Sequence, residues 1–247
     1  MIVDTHTHWP VGTNDDTDAF LKALDRYGTD RAVVCGLEVL HKVGAVSACN
    51  DRLAAFCARS GGRLIPLATV HLAEGNAAVD EARRCLETLG MKGFKFHPWV
   101  QGENVFREPM DEICRLVAEF DVPLLFHDGT PVYALSSQVA VLAGRFPRTR
   151  FILGHTGLLY FWEEAMEAAR QFENVYVTLC GPHLWAMQAI CDGVDPRRIV
   201  WGTDYVGPGA EEYIAYRRGL FDRLHLSGEL RDAILNDNPR RLFALDV

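Results

Sequence analysis

The chain offers little to an anionic surface and little to a bilayer. Against 33 Asp and Glu stand only 25 Lys and Arg, a formal charge of −8. A phosphate backbone is repelled by that balance and no counterion release can favour its binding, so nucleic acid is not an expected partner. No apolar run approaches the ~20 residues of a membrane span, so no membrane role is expected. The β-favouring start at Ile2 comes too early, and without a basic flank, for a secretory leader. Paired cysteines are missing too. The seven cysteines (35, 49, 57, 85, 114, 180 and 191) form no CxxC and sit among apolar neighbours. An odd, scattered set fits reduced thiols in a cytoplasmic protein rather than a disulfide framework, and most are expected as small core residues. Linkers, repeats and low-complexity stretches are also absent. Residues 1–247 are therefore expected to form one domain, and 49% hydrophobic content suffices for a sizeable core.

What is present is periodic. Strand-like apolar runs fall at 2–8, 31–36, 64–70, 92–97, 123–127, 150–155, 174–180 and 198–204. Helical spacing follows each, at 16–28, 46–59, 77–89, from Pro109 onward, and at 136–146, 162–172, 183–191 and 211–224. Short helices at 228–235 and 239–245 close the chain. Eight βα units, at a period of roughly 25 to 35 residues, fit an α/β fold of the (β/α)8 TIM-barrel type better than an open doubly wound sheet. Pro66 is an objection within the third strand, because proline cannot donate to a ladder.

The chemistry gathers at the strand ends. The first strand closes with Asp4-Thr-His-Thr-His8, and alternation puts His6 and His8 on one side. Two neutral imidazoles on one rigid surface make half of a first shell for zinc or a similar ion. His97, His127, His155 and Asp204 end the fourth, fifth, sixth and eighth strands. In a barrel those ends converge on one mouth. Lys95 shares a side of its strand with His97, while Phe94 and Phe96 face the helices.

This layout resembles the amidohydrolase superfamily, and most closely its amidohydrolase-related branch of decarboxylases, hydratases and lactonases. The resemblance is carried by HxH after the first strand and by Gly93-Phe-Lys-Phe-His-Pro98, Ile152-Leu-Gly-His-Thr-Gly157, Trp201-Gly-Thr-Asp-Tyr205 and Asn238-Pro-Arg-Arg-Leu-Phe243. It implies a mononuclear site with His6, His8, His127 and Asp204 as ligands and zinc as the ion, with manganese or a second ion as alternatives. It also implies that His155 activates or orients the nucleophile. Zinc lowers the pKa of a coordinated water to about 7, and a carboxylate at the rim can take its proton, so Asp204 would be ligand and base at once. His97, Lys95 and Trp99 are expected to contact substrate. Lys95 is read either as a carboxylated bridge or as a charge paired with Asp4. His71, His41, His183, Trp9, Pro10 and Tyr205 are secondary candidates for the mouth, its lids or its wall.

The expected activity is hydrolysis of a small amide, ester or lactone. The alternative is non-oxidative decarboxylation or hydration of a small carboxylic acid at the same site. A barrel that binds metal without turnover is the third reading. A small-molecule substrate is the expected partner, and a homodimer is the possible assembly.

Overall fold

Strands of this composition need cover on both faces, and a ring of parallel strands inside a ring of helices provides it. The computed structural model describes residues 1–9, 16–36 and 42–245. The sequence candidates His41 and Pro10 lie outside them. The strands are β1 (Val3–His8), β2 (Arg31–Cys35), β3 (Leu64–Leu67), β4 (Phe94–Phe96), β5 (Leu124–Phe126), β6 (Phe151–Leu153), β7 (Val175–Thr178) and β8 (Ile199–Val200). All pair in parallel, in two arcs ordered β1-β2-β3 and β4-β5-β6-β7-β8.

Two seams close the arcs into a barrel. At one, Ala68 N donates to Gly93 O (3.0 Å) and Lys95 N to Ala68 O (2.7 Å). At the other, Thr5 N donates to Trp201 O (3.0 Å), Asp204 N to His6 O (2.8 Å) and His8 N to Tyr205 O (2.7 Å). Pro66 is tolerated because of where it sits. Its carbonyl accepts from Lys92 N across the first seam, so the missing N–H faces the sparsely paired edge and costs no ladder bond.

The major helices follow the strands in turn: α1 (Thr17–Arg26), α2 (Val46–Ala58), α3 (Asn76–Glu87), a one-turn α4 (Pro98–Gln101), α5 (Glu108–Glu119), α6 (Ser136–Arg145), α7 (Trp162–Gln171), α8 (Leu184–Gly193) and α9 (Glu212–Asp222). Asp16 caps α1, accepting from Ala19 N at 2.9 Å, and Pro109 sits in the first turn of α5. The tail runs through α10 (Gly228–Asp232), a π-helical turn and α11 (Asn238–Leu242). Strands shorter than the apolar runs are the main departure from expectation. At the mouth the chain leaves the ladder early to form turns, so only Ile199–Val200 of the 198–204 run counts as strand.

Alternation sorts the core into inside and outside. Val3, Val33, Ile65, Leu67, Leu125, Ile152 and Val200 fill the barrel, and Leu242 and Phe243 plug it from the end opposite the mouth. Asn238, buried, holds the plug by donating to Pro196 O and Ile199 O, each at 2.7 Å. Phe94, Phe96, Leu124, Phe126, Phe151 and Leu153 point the other way, into the helical layer. No helix among the described residues is long and apolar enough to cross a membrane.

Candidate metal centre

Parity alone would misplace His6. Val3 faces the barrel interior, and a residue three further along a regular strand would face out. The β1–β2 register solves this: Asp4 pairs with Ala32 but Thr7 with Val34, so β1 carries one extra residue. Such a bulge re-aims the side chains beyond it. His6 and His8 thereby point inward at the mouth, above the apolar plug.

Space for His6 is cut by glycines just past the ends of β8, beside it, and β6, across the barrel. A Cβ on Gly202 would stand 2.8 Å from His6 Cβ, and one on Gly154 would stand 3.0 Å from His6 Cε1. Gly154 also supplies the acceptor for His6 Nδ1 at 2.9 Å. A carbonyl only accepts, so the ring proton is on Nδ1 and the Nε2 lone pair faces the cluster. Lys95 Nζ lies 3.0 Å from that Nε2. His8 Nε2 donates to Asp204 Oδ1 at 2.9 Å, and the same oxygen is 3.7 Å from His6 Nε2. Behind His8, the Cys35 sulfur approaches Nδ1 at 3.3 Å and Thr7 O at 3.2 Å.

His155 completes this group. Its ring centroid is 4.8 Å from that of His6, and the Cys180 sulfur is 3.8 Å from its Nδ1. Ligand atoms of His6, His155, Cys180 and Asp204 all lie within 4.8 Å of one another, as do those of His6, His8 and Cys35. His127 is one ring further out: its centroid is 4.5 Å from His155, and its Nε2 is engaged by Thr130 Oγ1 at 2.8 Å. His97 stacks on His127 with centroids 3.8 Å apart and planes within 11°.

Burial keeps these imidazoles neutral. It holds His6 and His155 well below the usual histidine range, lowers His97 to about 2 and His127 to about 3, with Lys95 and neighbouring histidines adding to each effect. Burial also lowers the Lys95 ammonium. His8 is the exception. Burial opposes its charge, but Cys35 and the Asp204 carboxylate outweigh that and push it up to about 9. Asp204 is correspondingly held below the ordinary carboxylate range, since the His8 hydrogen bond and the charges of His8, His155 and Lys95 overcome desolvation.

Two further carboxylates, both wholly buried, frame the site. Asp4 Oδ1 accepts from His6 N and Thr203 N (3.1 Å each) and its Oδ2 from Thr203 Oγ1 (2.6 Å). It thus fixes the turn where Asp204 adopts a left-handed φ of 63°. Asp128 does the same for the loop after β6. Its Oδ1 accepts from His155 N (2.8 Å), and its Oδ2 from Gly157 N (2.6 Å) and Ser136 Oγ (2.7 Å).

Several expectations need correction. Lys95 pairs with His6 and not with Asp4, whose oxygens are taken by Thr203 and His6 N. Tyr205 does not line the mouth; it is buried outside the barrel against Phe20, with ring centroids 5.0 Å apart. Trp9 joins the same outer cluster and is no lid. His71 is buried 3.8 Å from Glu103, away from the metal-type donors, and His183 is exposed beside Trp185. Trp99 is 55% exposed on the one-turn helix at the rim, and Gln101 of that helix links His97 N to Val70 O. Cys35, Cys180 and Asp128 were not among the sequence candidates, although all three stand at strand ends.

The donor set fits a divalent ion. The neutral imidazoles of His6, His127 and His155, His8 once its Nε2 proton is given up, and one ionised carboxylate converge at the strand ends, and His6 is oriented by a carbonyl on its other nitrogen, as ligating histidines are. The residues able to hold it are His6, His8 and Asp204, with His127 and His155 adjacent.

Comparison with known proteins follows the same line. A family model described as amidohydrolase matches residues 3–245. The chain is 25% identical over 211 residues to 2-keto-4-carboxy-3-hexenedioate hydratase of a Sphingobium species, an alignment spanning 69% of this chain and 62% of that protein. It is 26% identical over 251 residues to gamma-resorcylate decarboxylase of a Rhizobium species, spanning 80% of this chain and 75% of that one. In fold it is similar to 5-carboxyvanillate decarboxylase of Novosphingobium aromaticivorans, solved with manganese and a nitrobenzoic acid. The TM-score is 0.75 at 16% identity, over 99% of this chain and 96% of the other.

Proposed function

The chain belongs to the amidohydrolase family, and from that premise we propose that it is a metal-dependent lyase that decarboxylates or hydrates a small carboxylic acid. Hydrolysis of an amide, ester or lactone would use the same residues. However, the relatives with named activities compared above are two decarboxylases and a hydratase, which supports lyase chemistry better.

The observation that carries the reading is the pairing of a buried lysine with an ionised carboxylate across His6. Lys95 Nζ sits 3.0 Å from His6 Nε2, and Asp204 Oδ1 3.7 Å from the same atom. A substrate carboxylate needs a cation, and Lys95 is the cationic side chain that the fold aims into this cluster. Zinc, held by His6, His8, Asp204 and His127, would supply Lewis acidity at the substrate's oxygens.

The remaining roles belong to the protein. Asp204 Oδ1 is occupied by His8, and its Oδ2 has no hydrogen-bond partner among the described residues, so Oδ2 is the atom that takes up or returns the proton. His155, neutral and fixed through its backbone by Asp128, stabilises charge that develops on the substrate's oxygen. His97, held in place by stacking on His127, and Trp99 bound the substrate.

The test is a screen of small aromatic and unsaturated acids with metal-reconstituted protein, reading CO2 release and hydration separately. Asp204→Asn should abolish either activity while leaving the melting transition in place. Turnover of an amide, ester or lactone with no acid consumed would overturn the lyase reading. Full activity in Asp204→Asn would overturn the role of that residue.

A further inference from the structure

Resting on that reading of the metal centre, we propose that Cys180 is a ligand of the ion, so that the site carries one thiolate beside its imidazoles and carboxylate and selects zinc over manganese. Of the other six cysteines, Cys35 lies behind His8, its sulfur also engaged by Thr7 O, and the remaining five are helical. Cys49, Cys57, Cys85, Cys114 and Cys191 lie on the helices α2, α3, α5 and α8, where a thiol is a small apolar filler. Cys180 lies just past β7 and faces polar groups. Its sulfur is within 4.8 Å of ligand atoms of His6, His155 and Asp204, and the side chain is wholly buried.

The backbone holds it there. Thr178 is at the interior end of β7, Leu179 turns out into the helical layer, and Cys180 turns back in, with its N–H donating to Thr178 O at 2.7 Å. The next residue, Gly181, presses this turn against the loop after β6: a Cβ there would stand 2.1 Å from His155 O. A packing thiol gains nothing from being fixed against two imidazoles and a carboxylate, whereas a ligand requires it. When the sulfur binds the ion, the S–H bond gives way to a sulfur–metal bond and its proton is released to solvent. Thiolate and imidazole donors suit zinc, while manganese prefers an oxygen-rich shell. By this inference the chain departs from the manganese-containing structure it resembles in fold.

X-ray absorption on the zinc-loaded full chain should show one sulfur at about 2.3 Å beside nitrogen and oxygen at about 2.0–2.1 Å. The cobalt(II)-loaded protein should show a sulfur-to-cobalt charge-transfer band in the near ultraviolet. Cys180→Ser should lose both signatures, and its zinc-over-manganese preference should fall about tenfold or more in a competition titration. Cys35→Ser should keep both, which also decides the matter if Cys180→Ser does not fold. A zinc shell of nitrogen and oxygen alone overturns the proposal, as does a sulfur signature that survives Cys180→Ser or disappears in Cys35→Ser. One ion bound without sulfur removes this inference and leaves the metal-dependent lyase intact; no stoichiometric ion removes both.

Discussion

Replacing Asp128 by Asn changes one oxygen to an NH2 group and should cost far more than that suggests. The carboxylate accepts from three donors: His155 N at 2.8 Å, Gly157 N at 2.6 Å and Ser136 Oγ at 2.7 Å. An amide can accept on one oxygen only. Whichever way it turns, its NH2 opposes a backbone N–H, of His155 or of Gly157, and that buried donor is left unpaired. An orphaned buried donor costs roughly 1–3 kcal/mol. For a domain of this size, about 2 kcal/mol lowers the melting temperature by roughly 4–8 °C. Ser136→Ala is the internal control. It removes a single hydroxyl and leaves both N–H groups satisfied, so it should cost about 1 kcal/mol, or roughly 2–4 °C. Calorimetric melts of the parent and both variants measure this directly. Turnover should fall further in Asp128→Asn, because the same bond orients the His155 backbone. The reasoning is refuted if Asp128→Asn melts within ~1 °C of the parent, or if Ser136→Ala is the more damaging change.

Gly202→Ala inserts a methyl 2.8 Å from His6 Cβ, so it should cost about 1–3 kcal/mol and weaken metal binding together; a melt and a metal titration that both match the parent would refute it. Glu81 gives a pH signature. Burial alone would raise its pKa, but hydrogen bonds from Arg84, Asn50 and Ser47 hold it at about 2, against 4.5 as the ordinary value. A depressed carboxylate stabilises the fold above its unfolded pKa, and that stability is lost as pH falls from about 4.5 toward 2. Urea melts of the parent and Glu81→Gln should therefore differ by roughly 3 kcal/mol at neutral pH and converge below about pH 2. Dialysis against a chelator should lower the melting temperature, and re-added zinc should restore it, by about 2.7 kcal/mol at a hundred times the dissociation constant. An unchanged melt would remove the ion from the native state.

What could be read in the chain, and what could not, divides along the range of the interactions. Alternation is local. It put His6 beside His8, sent Phe94 and Phe96 outward with Lys95 inward, and gathered the histidines at or just past strand ends, with Asp204 in the turn beyond β8. The bulge in β1 left no mark, because a one-residue slip is defined only against the partner strand. Lys95 was matched to the wrong partner for the same reason. The stagger between β1 and β4 decides that it meets His6, and the sequence contains no register. Tyr205 was judged by its neighbour Asp204, yet Asp204 sits in a left-handed turn that sends the next residue outward. Cys35 and Cys180 could have been found. Each stands at the end of a strand-like run, where the histidines did, and composition alone made them look like filler.

The second seam ties the reaction to the architecture. His8 and Asp204 are 196 residues apart in sequence, and their 2.9 Å contact lies where the first strand meets the last. The clasp of the hoop and the working centre are therefore the same few atoms. Laboratory evolution for new substrates should find almost no tolerated change at the clasp, where one substitution disarms the centre even though the backbone bonds of the seam survive it. The freedom to diversify lies in the segments after β4, β5 and β7, whose rim side chains can be exchanged without loosening the closure.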